Sequence, residues 1–457
     1  MSWKEYYKQH LMSAQEAAQL VQSGDTVSNP LGLGQISSCL MDAITDRKDE
    51  LMDVEIFLSL TVKPYKLLRP EYRSTFTIIS GFWYGRLLRP IVRSEWCVYI
   101  PTQGSDIALK SIRRRKHTGR RHGLVFQAAP PDEHGFINLG LDNFFTESAF
   151  PYSDYLIVEI NPQMPRTYGS TSFHVSTFHA FVEHAEPIPA QATPEPSPAE
   201  IEIAKHVTSL LRDRDCIQVG IGGVPAMISK LLESSGLKDL GIHSELVPIG
   251  TDRLVEKGVV TGKYKKTHPG KVIAAFALGN KELYDFVGNN PLCEIHSAAY
   301  VNYPFNIARE DNVVAVNGSI EVDLTGQIVS ESIGNTMVSG SGGQLDFAIG
   351  ACWSPGGRAI NVLPSTSRDG KISRIVPYIT QGSRVTVPRH YAGYVVTEYG
   401  VADVYGLTEP ERAEALIKIA HPKFREELEK GARERGLLKK KTFPSSATTS
   451  AVTPITM

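Results

Sequence analysis

Residues Pro187–Pro198 (PIPAQATPEPSP) constrain the fold more than any other segment, because five prolines fall within twelve residues. Each proline removes a backbone donor and turns its predecessor away from helix, so the segment reads as a stiff extended linker. It divides the 457-residue chain into stretches of 186 and 259 residues. Either stretch is long enough to bury a core without disulfides or metals.

The two stretches share a pattern. Leu20–Gln35 reads LVQSGDTVSNPLGLGQ and Leu210–Pro225 reads LLRDRDCIQVGIGGVP, so that Asp25 aligns with Asp215 and Gly32 with Gly222 at a constant offset of 190. Each segment is a helix end, a turn with Asp, a short apolar strand, a Gly-containing loop and a second helix. That order belongs to α/β folds with mostly parallel sheets. Two ordinary βα units would look alike as well, so duplication and coincidence both stay open. Tyr155–Ile160, Lys271–Leu278, Val313–Val316 and Ala359–Leu363 are short apolar runs of the kind that parallel sheets bury on both faces. Helices are expected at Ser13–Ser23, Glu200–Arg212, Ala226–Glu233 and Glu409–Arg435, the last broken by Pro422. The expected organisation is an N-terminal α/β domain over 1–186, a linker over 187–199 and a second α/β domain over 200–438. A basic, then Ser/Thr/Pro-rich, mobile tail follows over 439–457.

Charge excludes one class of function. Forty-eight Lys and Arg balance 49 Asp and Glu, for a net charge of −1, so no global field draws nucleic acid or an anionic membrane. The five cysteines (Cys39, Cys97, Cys216, Cys293 and Cys352) form no CxxC pair and no zinc-spaced cluster. They read as free thiols in a reducing compartment. Met1–Leu11 is polar with charges of both signs, and no run approaches the roughly 20 apolar residues that span a bilayer. A cytoplasmic location is expected.

Four features could carry chemistry. The loop Gly220–Pro225 (GIGGVP) lies between a strand and a helix, where backbone amides and the helix N-terminus can receive an anion. It matches neither GxGxxG nor the P-loop, and a tight βα turn is the competing reading. Glu245, in GIHSE, lies 25 residues past Gly220 and could reach the same sheet edge as base, metal ligand or covalent nucleophile. A purely structural glutamate, with His243 as a packing residue, is the plainer reading. Val316–Gly343 offers the Asn317 amide and the glycines Gly340, Gly342 and Gly343 as oxyanion donors. Its Glu321 and Asp323 share a face at strand spacing, but no third metal ligand accompanies them. Arg113–Arg121 (RRRKHTGRR) holds six Lys and Arg in nine residues. It is either a solvated charge face or a local phosphate patch for a nucleotide-like ligand or RNA.

An ordered set of motifs then gives the chain a family resemblance. They are NPQMPRTYG (Asn161–Gly169), FHVS (Phe173–Ser176), GIGGVP, LGIHSEL (Leu240–Leu246), LYDFVGNNP (Leu283–Pro291) and SIEVDLTGQIVSESIG (Ser319–Gly334). SGSGGQLDF (Ser339–Phe347), LPST (Leu363–Thr366), SRIVP (Ser373–Pro377), VVTEYGVAD (Val395–Asp403) and IAHPKFRE (Ile419–Glu426) complete it. Together they resemble the acetyl-CoA hydrolase/transferase family, and within it the 4-hydroxybutyrate and butyrate:acetyl-CoA type of class I coenzyme A transferases. The resemblance implies two tandem related α/β domains, with Glu245 as the catalytic residue. It places a CoA-binding loop at Gly220, Ile221, Gly222, Gly223 and Val224. Asn317 and Gly340 fall where CoA is contacted or the reacting carbonyl polarised, and Gly343 lies beside them; Arg166 has no assigned role. It further implies acetyl-, butyryl- or succinyl-CoA as donor and a short-chain carboxylate (4-hydroxybutyrate, butyrate or an itaconate-like acid) as acceptor, no metal or redox cofactor and a homo-oligomer. An acyl-CoA hydrolase, or a non-catalytic CoA-, nucleotide- or RNA-binding protein, is the alternative.

Overall fold

The computed structural model describes residues 1–438 except 83, 84, 86, 93–95 and 192–194. Ala192–Pro194 of the linker and the expected tail Lys439–Met457 lie outside the described residues.

Two α/β units stand in tandem, each built on a large sheet. The first sheet contains β1 (Thr26–Asn29), β2 (Val54–Leu58), β3 (Phe76–Ser80), β4 (Cys97–Tyr99), β5 (His122–Ala128), β6 (Tyr155–Ile160) and β7 (Ala180–Glu183). Its order is β7-β6-β5-β1-β2-β3-β4, and every pairing is parallel. The second contains β8 (Cys216–Val219), β9 (Gly241–His243), β10 (Val272–Ala274), β11 (Cys293–Ile295), β12 (Val313–Gly318), β13 (Arg358–Val362), β14 (Tyr394–Thr397) and β15 (Gly400–Asp403). Its order is β15-β14-β13-β12-β8-β9-β10-β11, with Tyr168–Gly169 from the first half added beyond β11. Adding seven to each strand of the first sheet gives the second sheet from β14 to β11. The offset of 190 therefore marks a repeated architecture.

The matched aspartates show why the pattern is legible. Asp25 and Asp215 each sit just before the first strand of their sheet, and each accepts the backbone N–H three residues earlier, from Gln22 at 2.9 Å and Arg212 at 2.7 Å. Both turns are fixed by a short carboxylate that caps its own backbone. Each aspartate also faces an arginine at the start of another strand of its sheet, Arg121 before β5 and Arg358 at the head of β13.

Several expected elements differ: the helix expected over Ser13–Ser23 spans only Ala14–Ala18, and that expected over Ala226–Glu233 begins at Gly223. Lys271–Leu278 is not one strand. Val272–Ala274 joins the large sheet, whereas Phe276–Ala277 pairs with Leu246–Val247. The break occurs because the N–H groups of Ala275 and Phe276 both donate to the Glu245 carbonyl, at 2.9 and 3.2 Å. The helix expected from Glu200 begins at Pro198, since Ser197 caps it with Glu200 in a capping box and proline suits the first turn. Among the described residues, no helix is long and apolar enough to cross a membrane.

Candidate active site

In open α/β sheets, ligands settle at the carboxyl ends of the strands where strand order reverses. Here that place is the neighbouring pair β8 and β12, with β9 on the other side of β8. Gly220 follows β8, Glu245 lies two residues past β9, and Asn317 is next to last in β12. Glycine loop, glutamate and asparagine thus converge on one edge.

They open into a cavity of about 140 Å³. Its polar side chains are Gln218, Glu245, Asn317, Ser330, Ser341 and Gln344; its aromatic and leucine walls include Phe276 and Phe347 from the second half and Leu60 and Phe82 from the first. Leu60 holds a left-handed backbone (φ 43°), an uncommon conformation for a branched residue that the surrounding packing must enforce. Leu60 follows β2, and residues 26–35 do not line the cavity. Among the described residues, no Lys, Arg or His lines it either.

Gly220 and Ile221 are shared with an adjoining groove of about 410 Å³, bordered also by Gly222, Gly223, Val224, Arg89 and Arg374. Gly222 (φ 136°) starts the helix Gly223–Leu232. A side chain there would be strained, so the loop depends on this glycine. A Cβ on Gly223 would come within 2.9 Å of Glu200 Oε1, which lets the preceding helix pack directly under the loop.

Glu245 is held from several sides. Asn302 Nδ2 donates to its Oε2 at 2.8 Å, and its carbonyl accepts the two amides of 275 and 276. A Cβ on Gly343 would stand 2.1 Å from Glu245 Oε2 and 2.3 Å from Asn302 Nδ2, so only glycine admits the carboxylate. Burial pushes the Glu245 carboxyl up to about 8, against the smaller opposing pull of the Asn302 donor; the Asp346 carboxylate adds to the rise. Asp346 is itself pushed up to about 7 by burial, although Ser105 donates to it through N–H (3.1 Å) and Oγ–H (2.6 Å).

Asn317 and Gln218 exchange amide hydrogen bonds of 3.1 and 3.3 Å, which fixes the Asn317 plane and leaves its second N–H for a ligand. Gly340 is buried and does not reach the cavity wall, which Ser341, Gly342 and Gly343 form. His243 is a packing residue. Its Nε2–H donates to Val301 O at 2.8 Å, and burial drives its ring down to about 3, so it stays neutral.

Three other candidates lie apart from this edge. The basic run is the end of a helix, Ile107–Thr118, and the turn after it, not a loop. Arg114, Arg115, Arg120 and Arg121 pair with Glu55, Asp154, Asp53 and Asp25. These partners sit at the amino ends of β1, β2 and β6, the opposite edge of the first sheet from Leu60, so the run serves the fold. Arg166 donates to the carbonyls of Pro130 and Phe136 and to Asp132, bracing one loop. The Glu321 and Asp323 carboxylates are occupied by Thr380 and by Thr325 and Gln327 respectively, which leaves no metal pair there.

Asn302, Asp346 and Ser105 are site residues the sequence reading did not single out. Asp346 stands in the quoted SGSGGQLDF motif, whereas Asn302 follows the four-residue helix Ala298–Val301 without any local signature. Only the meeting of that helix with β9 makes it visible.

A doubly wound, duplicated α/β frame with a buried carboxylate at the switch point and a glycine loop beside it defines an enzyme that transfers coenzyme A. Residues 1–191 match the acetyl-CoA hydrolase/transferase N-terminal domain and residues 279–432 the C-terminal domain of the same name, and the chain belongs to that family. It is 38% identical over 428 residues to the 4-hydroxybutyrate coenzyme A transferase of Clostridium kluyveri, covering 94% of this chain and 98% of that protein. It is 37% identical to the succinyl-CoA:cyclohexane-1-carboxylate CoA transferase of Geobacter metallireducens, over 94% and 97% of the two chains. Among solved structures, RipA from Yersinia pestis matches with a TM-score of 0.88 at 30% identity, over 96% of this chain and all of that one.

Proposed function

We propose that the protein moves CoA from a short-chain acyl-CoA to a carboxylic acid through a glutamyl-CoA thioester on Glu245. The observation that carries this reading is the position of the Glu245 carboxyl, which lines a largely apolar cavity adjoining the glycine groove and accepts the Asn302 Nδ2–H. The Glu245 carboxylate attacks the thioester carbonyl; the C–S bond breaks, giving an acyl-glutamyl anhydride and CoA thiolate. The thiolate attacks the glutamyl carbonyl, expels the donor acid as its carboxylate and leaves glutamyl-CoA. The acceptor carboxylate then attacks glutamyl-CoA, and the released thiolate takes the acceptor acyl group and frees Glu245. Every intermediate exchanges one carboxylate for another, so no step needs a redox group or a metal.

Each tetrahedral intermediate carries an oxyanion, for which the second Asn317 N–H, left over from the Gln218 pair, is an available donor. One such donor contributes about 3–4 kcal/mol in comparable sites. Arg89 and Arg374, bordering the groove, offer positive charge to the CoA phosphates. The apolar wall, with no cationic side chain among its described residues, favours a monocarboxylic acceptor such as butyrate or 4-hydroxybutyrate over a dicarboxylate, whose second charge would be buried unpaired. The expected homo-oligomer follows from the family resemblance, and sedimentation reads it directly.

The test is direct. Incubation with butyryl-CoA, followed by borohydride or hydroxylamine and intact-mass analysis, is expected to place one modification at Glu245, with ping-pong kinetics. Glu245→Gln and Glu245→Ala should give neither adduct nor transfer. An unmodified protein, or a Glu245→Ala variant with full turnover, would overturn the reading. Steady CoA release without an acceptor would mark a hydrolase instead.

A further inference from the structure

We propose that His268, Glu294 and His296 form a binding site for one divalent transition-metal ion, zinc being the ion their donors suit. β11 carries Glu294, and His296 lies two residues on, so strand alternation turns both side chains to one face. The His296 N–H is anchored on Ala274 O at 2.9 Å. His268 stands in the turn before β10 with a left-handed backbone (φ 48°), which brings its ring across to the same place. The three ligands come from two segments far apart in sequence, which is why no spacing motif announced them.

The geometry is that of a ligand set. His268 Nδ1 lies 2.8 Å and His296 Nε2 lies 3.2 Å from the same oxygen, Glu294 Oε2. The three ligand atoms lie within 4.8 Å of one another. Zinc bound tetrahedrally at about 2.0–2.1 Å separates its ligands by about 3.3 Å, so only small side-chain rotations are required. Two imidazole nitrogens and one carboxylate oxygen disfavour the oxygen-seeking ions magnesium and calcium and suit zinc and its neighbours.

The surroundings fit as well. The far nitrogen of His268, Nε2, lies 2.9 Å from the Tyr300 hydroxyl. When that hydroxyl accepts Nε2–H, the lone pair is left on Nδ1, facing the cluster. Such a partner fixes the tautomer of a ligating histidine. Lys271 Nζ, 3.7 Å from Glu294 Oε1, is the nearby opposing charge; it is tied to Pro291 O at 2.5 Å and faces the oxygen the imidazoles do not use. The side chains keep 27%, 19% and 17% of their exposure for His268, Glu294 and His296, so solvent can supply a fourth ligand.

An ion here would cross-link β11 to the turn before β10 and, through Tyr300, to the helix Ala298–Val301. That helix ends at Asn302, the donor on Glu245. The ion is thus a structural clamp at the base of the segment that positions the site. It stands whether or not Glu245 is the nucleophile, because the test reads metal and not turnover.

The full-length protein, stripped with a chelator, is dialysed against zinc and, separately, against cobalt(II). One zinc per chain and the intense visible bands of four-coordinate cobalt are expected. His268→Asn combined with His296→Asn should abolish both signals, and Tyr300→Phe should weaken zinc binding by about 10–100-fold. Zinc uptake no greater in the wild type than in the double variant overturns the proposal and leaves a hydrogen-bonded cluster. Should the double variant not fold, the wild-type cobalt spectrum decides: four-coordinate bands support the site, and the weak spectrum of the hydrated ion overturns it.

Discussion

Glu245 sits near a second buried carboxylate, and that sets its pH behaviour. Its carboxyl is raised from 4.5 to about 8, chiefly by burial, with the Asp346 charge adding to it. Between those values the folded protein holds a proton that the unfolded chain has lost. The stability this group lends is therefore complete below pH 4.5 and is lost as pH rises through about 8. Reactivity in the proposed mechanism runs the other way, because there the carboxylate acts as nucleophile. In the free enzyme, kcat/KM for acyl-CoA should climb with pH and level off above about 8. Asp346→Asn should move that rise to lower pH, and an unmoved profile would show that the like charge is not felt. Gly343→Ala makes a separate prediction. Its Cβ would occupy the space of Glu245 Oε2, so transfer should fall by about 100-fold or more, the usual penalty for a displacement of about 1 Å. Circular dichroism should stay unchanged, since φ at Gly343 is an ordinary −87°. That Gly220 and Glu245 share one sheet edge was legible from the strand–loop–helix order and their spacing, whereas a catalytic role for Glu245 came only from the family resemblance. Asn302 was not legible, because its role comes from a contact across 57 residues of sequence.

The elements divide in the same way. β6 fell on Tyr155–Ile160 as expected because both its faces are buried and its apolar run is unbroken. Residues 271–278 looked equally continuous, but periodicity cannot show that the Glu245 carbonyl would capture two amides and split the run. The repeated turn allows a paired test. Arg358 and Asp215 are almost fully buried, at 6% and 1% exposure, whereas Arg121 beside Asp25 is 39% exposed at 3.8 Å. Removing one partner of a buried pair strands the other, at about 3–5 kcal/mol; Asp25 is also buried, but its arginine is partly in solvent at 3.8 Å and the Tyr155 hydroxyl still donates to it at 3.0 Å when that arginine is lost. Arg358→Met should therefore lower the thermal midpoint clearly and Arg121→Met little. Equal shifts in differential scanning fluorimetry would refute this account of the two turns.

At the scale of the whole molecule, the halves are one working unit despite the linker between them. Gly342 N–H donates to Phe82 O at 3.0 Å, Ser341 Oγ to Thr102 O at 2.7 Å, and Ser105 reaches Asp346. These bonds seat Phe82 and Leu60 of the first half over the carboxylate of the second. Composition could not show this, since a net charge of −1 follows equally from a surface of paired charges or a sparsely charged one. Under the proposed function the contact gives the halves different tasks: the second carries Glu245 and the glycine groove, and the first supplies Leu60 and Phe82 to the cavity wall. Changing the wall should then alter which acid is accepted without altering how CoA is held. Phe82→Ala removes a buried ring from the cavity and should shift the ratio of kcat/KM values toward a bulkier acid, such as cyclohexanecarboxylate over butyrate. A pocket change of a methylene or more is worth about 10–200-fold in such a ratio. The KM for acyl-CoA with the acyl chain held constant should change less, because Phe82 does not border the groove at Gly220–Val224. A uniform loss across all acids, with acyl-CoA binding weakened to the same degree, would mean that Phe82 only supports the fold.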